Sequence, residues 1–174
     1  MSQQPRIPPL PESEWDESVA GVVSAIGPLN VITTLARHPE LFKAWIELGT
    51  MLLLKGTLPA RDRELAILRT AHNAACGYEW THHVSLGGDA GLTDAEITAL
   101  ESGLEEHFWA PRDRAIVAAA DELHFAGTLN DASWAALTNH LDEREMIELV
   151  MLIGHYQMLG YALNSFGVQL EPKH

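Results

Sequence analysis

The residues able to do chemistry gather in one run, RELAILRTAHNAACGYEWTHH, spanning positions 63–83. It holds Glu64, His72, the chain's single cysteine Cys76, Glu79, and the pair His82-His83. A carboxylate beside an imidazole can move protons near neutral pH, because burial and mutual attraction tune both groups toward that range. A thiol beside them is a proton donor, or, once deprotonated, a nucleophile. A third chemistry, metal binding, is open on spacing: Cys76, Glu79 and His83 stand at i, i+3 and i+7, with His72 as a further donor. That spacing matches no strong metal motif such as HExxH or paired CxxC, and no metal is expected.

Two helices must position these groups, one over 60–75 and one over 77–90. At 100° per residue the first collects Glu64, Ile67, Leu68, Ala71, His72 and Ala75 on one arc, with Asp62, Arg63, Arg69, Thr70 and Asn73 opposite. Glu64 therefore sits mid-face, where a carboxylate needs a partner or a proton. The second helix puts Cys76, Glu79, Trp80, His83, Val84, Leu86 and Ala90 inward, and Tyr78, Thr81, His82, Ser85 and Asp89 outward. Cys76 falls at the junction, with Gly77 easing the turn, where a helix N-terminus favours the thiolate. Taken singly, each residue has a plain reading: a buried cysteine as a small hydrophobe, Trp80 as core, Glu64 as a helix cap. Inward convergence of Glu64, Cys76, Glu79 and His83 is what points to a site. His124 and His155 read as surface or interface histidines.

The rest of the chain is patterned as helix: 12–26, 30–37, 39–55, 94–103, 112–127, 132–140 and 143–166, with no period-two alternation to suggest strands. Thr93 and Glu96 form a capping box, and Pro59 and Pro111 fit first helical turns. Residues 1–11 hold four of the nine prolines and read as an extended arm before one helical domain over 12–170. A net charge of −13 argues against nucleic acid and anionic membranes as partners. One cysteine excludes an internal disulfide. The polar N-terminus lacks a secretory h-region, and the best apolar stretch, 146–168, is broken by Glu148, His155, Gln157 and Asn164. A cytoplasmic protein is expected.

Residues 59–96 resemble the carboxymuconolactone decarboxylase family, which has the AhpD-like all-helical fold. AhpD-type antioxidant proteins carry a helix-start glutamate, a CxxC, and a histidine four residues after the second cysteine. Glu64, Cys76 and His83 match, while Glu79 stands where the second cysteine would be. The decarboxylase branch shows Glu-x-x-x-His, a Gly-hydrophobic-Thr turn and an acidic helix start, matched by Glu79, His83, Gly91-Leu92-Thr93 and Glu96. That branch usually has a small residue with a side chain where this chain has Gly87. The wider chain is similar to a branch sharing the Pro-rich arm, Leu-Ala-Arg-His-Pro at 35–39, Glu79-Trp80 and the run 163–170.

The resemblance implies an all-α AhpD-like bundle forming a homo-oligomer (dimer, trimer or hexamer). It implies a cofactor-independent decarboxylase-type enzyme acting on a small carboxylated lactone or enolisable acid. His83 would be the general acid/base, with Glu79 and Glu64 orienting it or relaying protons; Cys76 would line the pocket or protonate an enolate carbon, and His72 and Trp80 would be pocket walls. The alternatives are a single-cysteine thiol peroxidase, needing an external resolving thiol, and a non-catalytic helical binding protein.

Overall fold

The computed structural model describes residues 4–105 and 109–172. Among these residues the regular structure is entirely helical, as expected. The helices are α1 (Glu17–Ile26), α2 (Asn30–Leu35), α3 (Pro39–Thr50), α4 (Ala60–Asn73), α5 (Gly77–Asp89), α6 (Asp94–Ser102), α7 (Pro111–Ala126), α8 (Asp131–Thr138) and α9 (Glu143–Phe166). The chain forms two compact units, residues 1–54 with 162–174, and residues 55–161.

In the first unit the helix expected over 12–26 is broken. A 3-10 turn, Glu12–Glu14, precedes α1, because the Asp16 carboxylate accepts a hydrogen bond from Val19 N and starts the helix there. The helix expected over 39–55 runs to Thr50 and then loosens into a π-turn, Met51–Lys55. The N-terminal arm is held by its backbone: Leu10 N donates to Thr33 O (2.9 Å) and Arg6 N to Phe166 O (2.7 Å). Val19, Ile32 and Phe42 are buried there.

The second unit is built around α4, which packs against α5, α6 and α7. Leu65, Ala66, Ile67 and Leu68 are fully enclosed. Its expected outer arc is a correction: Asp62, Arg69 and Thr70 are buried too. A helix covered on several sides has no solvent face, so its polar residues must be paired. Arg112 Nε donates to Asp62 (2.7 Å), Arg69 donates to Asp121 and to Leu100 O, and Thr70 Oγ1 donates to Ala66 O. Arg61 bridges Glu96 and Asp113. Pro59 is the residue before α4 rather than in its first turn, while Pro111 does open α7, and the Thr93–Glu96 capping box is present.

By length and composition α9 could cross a membrane, with a mean hydropathy of 1.2, where the sequence reading found no such stretch. Half of that window is buried inside the protein. Leu149 and Leu152 are core residues, and Glu148 accepts hydrogen bonds from Thr57 N, Thr57 Oγ1 and Leu58 N, fixing the approach to α4.

Candidate functional site

The site grows from the way α4 ends. Ala75 N bonds to His72 O, and Cys76 N reaches back to Ala71 O (2.9 Å), the long bond of a Schellman turn. Such turns need a left-handed residue, usually glycine; here it is Ala75, at φ 49°. That conformation costs an L-residue roughly 1–2 kcal/mol. Gly77, expected to ease the turn, is simply the first residue of α5. The strained position lies one residue before the thiol.

Cys76 is the residue that starts α5, and it is 1% exposed. Burial pushes its thiol above the ordinary cysteine range. The Glu79 and Tyr78 amides pull the other way, without forming a capping hydrogen bond, and the Glu79 charge adds to the rise. The helix N-terminus thus fails to make a thiolate here, contrary to the expectation from position alone.

Glu64, Glu79 and His83 do come together, all buried. His83 Nδ1 lies 2.7 Å from Glu64 Oε2, and His83 Nε2 lies 3.6 Å from Glu79 Oε2. Arg63 Nε donates to the other Glu64 oxygen at 3.1 Å. Glu64 is therefore held from both sides, by Arg63 and by the imidazole at Nδ1, and Nε2 is the nitrogen turned toward Glu79. Burial raises the Glu79 carboxyl to about 6, with the facing His83 opposing the rise.

That raised value makes Glu79 destabilising when charged. Its contribution to stability is fully present below the unfolded value of 4.5 and is lost as pH rises through about 6. Glu79→Gln should therefore be more stable than the parent at pH 8 by about 2 kcal/mol. The difference should shrink to about 0.4 kcal/mol at pH 4.5, as read by urea unfolding at both pH values. Equal stabilities at pH 8 would show that Glu79 is not burdened by its burial.

The remaining candidates divide. Trp80 is half-buried, and its ring stands 6.1 Å from that of His72. His72 is exposed, correcting the inward projection. It lies in the last turn of α4, past the enclosed stretch that ends at Ala71. Tyr78, projected outward, is buried with its ring 4.5 Å from that of His82, and His82 is half-buried. Thr81, Ser85 and Asp89 face outward as projected, but Leu86 is exposed as well. Gly87 belongs to the packing between α4 and α5: a Cβ there would lie 3.1 Å from both Leu68 Cδ1 and Leu92 Cδ1. Among the described residues no three His, Cys, Asp or Glu side chains group in a way that could hold a metal ion.

One residue of α9 beside the site, Tyr156, goes unread in the sequence pattern, and another, His155, is more enclosed than a surface reading implies. Tyr156 is buried with its ring centroid 5.1 Å from that of His83, edge to face at 89°. Burial and the charges of Glu79 and Glu64 hold its phenol well above the usual range, so it keeps its proton. His155, expected at a surface or an interface, is buried, and burial lowers its basicity. Projection of α9 would have found Tyr156, which shares a helical stripe with buried Leu149, Leu152, Leu159 and Leu163. His124 is half-buried, its Nδ1 2.8 Å from Gln157 Oε1.

Solved structures share this arrangement of helices. An uncharacterised peroxidase-related protein from Ralstonia eutropha JMP134, described as an alkylhydroperoxidase AhpD core, matches with a TM-score of 0.83 and 22% identity, covering 97% of this chain and 94% of its own. An uncharacterised peroxidase-related protein from Silicibacter sp. TM1040 matches with a TM-score of 0.79 and 16% identity, covering 96% and 89%. The debrominase Bmp8, as a cysteine-to-alanine variant with 2,3,4-tribromopyrrole, matches with a TM-score of 0.78 and 19% identity, covering 98% and 94%. At these identities the likeness establishes the fold. No curated protein sequence matches the chain significantly. Residues 39–122 match the carboxymuconolactone decarboxylase family. Similarity to that family thus spans 84 of the 174 residues, site included, and the fold is AhpD-like.

Proposed function

We propose that the chain is a cofactor-independent enzyme that moves protons on a small enolisable acid, with decarboxylation of a carboxylated lactone as its type reaction. The observation that carries this reading is the buried series Glu64–His83–Glu79, in which one carboxylate fixes the imidazole and the other faces its free nitrogen. Glu64, bonded to Arg63 and to His83 Nδ1, orients the ring. Glu79, at about 6, holds an exchangeable proton close to neutral pH that it can share with the facing His83 Nε2 at 3.6 Å. When the substrate carboxylate leaves as carbon dioxide, its bonding electron pair passes into the enolate. The enolate carbon then takes the shared proton, and water restores it. Cys76, held protonated by burial, supplies a second proton donor beside Glu79.

Purified protein should exchange deuterium from heavy water into the acidic carbon of unsaturated lactone carboxylic acids, and release carbon dioxide from those it decarboxylates. A protein that does neither, yet consumes organic hydroperoxide with an external thiol, is a peroxidase instead. That second reading draws on the two backbone amides aimed at Cys76 and on the peroxidase-related structural neighbours. The two part at the thiol. Under the proton-transfer reading, the pH midpoint for Cys76 alkylation should lie above that of free cysteine, as burial dictates. A midpoint below it favours the peroxidase.

A further inference from the structure

Glu64 anchors the His83 imidazole at Nδ1, but Nε2 stands 3.6 Å from Glu79, beyond a hydrogen bond, so rotation about Cβ–Cγ is not blocked by the carboxylates alone. A further constraint comes from α9. The Tyr156 ring stands perpendicular to the imidazole at 5.1 Å, and the His155 ring meets the same phenol at 5.5 Å and 69°. Perpendicular aromatic pairs at this separation are attractive and resist rotation of either ring.

The backbone of α9 reaches this position because of a residue one turn further on. Gly160 lies on the same helical face as Tyr156. A Cβ at Gly160 would fall 3.0 Å from Ala74 Cβ and 3.5 Å from Cys76 Cβ. The helix therefore rests directly on the strained turn that carries the thiol. A side chain at 160 would push it back by a few tenths of an ångström, and the phenol would move with it.

We infer that Tyr156 is a positioning residue, a phenol wall seated by Gly160 that keeps the His83 ring plane fixed so that Nε2 stays turned toward Glu79. The consequence for turnover rests on the proton-transfer reading above, but the ring placement can be measured without any substrate. The aromatic ring carries the effect and the hydroxyl does not, because the contact described is ring to ring.

Long-range proton–nitrogen NMR on protein labelled with 15N in its histidine rings tests this, with His83 assigned by its loss in His83→Gln. Wild type and Tyr156→Phe should both show a single tautomer with the proton on Nδ1. Tyr156→Leu and Gly160→Ala should show exchange broadening or mixed tautomers at His83. With a substrate in hand, these two variants should lose about tenfold or more in kcat with KM changed less. A folded Tyr156→Leu protein with an unaltered His83 spectrum overturns the inference, as does a Tyr156→Phe spectrum disturbed as much as that of the leucine variant. Should Tyr156→Leu fail to fold, Gly160→Ala decides by the same spectrum. Loss of the single tautomer in a protein that turns over no lactone acid supports the placement while counting against the reaction.

Discussion

Replacing His83 with glutamine should lower proton-transfer turnover by roughly 10²–10⁴-fold, the usual contribution of a positioned acid/base. The imidazole lies between the two carboxylates, 2.7 Å from Glu64 and 3.6 Å from Glu79. Glutamine can still donate to Glu64 but cannot pass a proton between its two ends. The loss should fall on kcat and kcat/KM together, since the missing interaction belongs to the transition state. Deuterium exchange into a confirmed substrate measures it directly. Wild-type exchange by a folded His83→Gln protein removes His83 from the mechanism.

The largest effect on stability should come from Arg69, far from the chemistry. Its guanidinium is nearly enclosed, bonded through two nitrogens to the Asp121 carboxylate and through a third to Leu100 O near the end of α6. Asn73 also donates to Asp121, so the carboxylate anchors two points of α4. Arg69→Met keeps much of the volume but leaves Asp121 without its cation and Leu100 O without its donor. Breaking a buried pair from one side costs about 3–5 kcal/mol. Urea unfolding of Arg69→Met checks this, and the double variant Arg69→Met/Asp121→Leu should recover part of the loss. A single variant within about 1 kcal/mol of wild type would mean that water replaces the guanidinium without cost.

Arg69 also shows where a sequence stops being informative. Hydrophobic period and capping residues place α4 to α9 within a residue or two, because those signals are local. Glu64, Glu79 and His83 are readable for the same reason: each lies on the apolar side of its own helix. Projection assumes one buried side per helix, and α4 has several, so Asp62 and Arg69 were assigned to solvent. It also assumes that packing extends to the helix end, and His72 lies beyond where it does. Tyr156 arrives from a helix far along the chain, and nothing near His83 in sequence signals it. Gly87, where the decarboxylase branch usually keeps a side chain, is a matter of leucine packing in the structure.

The turn at Cys76 has a consequence for how the site opens. The Cys76 amide closes α4 through Ala71 O, and its carbonyl accepts the first hydrogen bond of α5, from Trp80 N. One residue thus serves as the last link of the helix carrying Glu64 and the first link of the helix carrying His83. Neither helix can fray at this junction without loosening the other, so their amides belong to a single cooperative unit of hydrogen exchange. A group attached to the thiol should therefore disturb both helices together, the one carrying Glu64 and the one carrying His83.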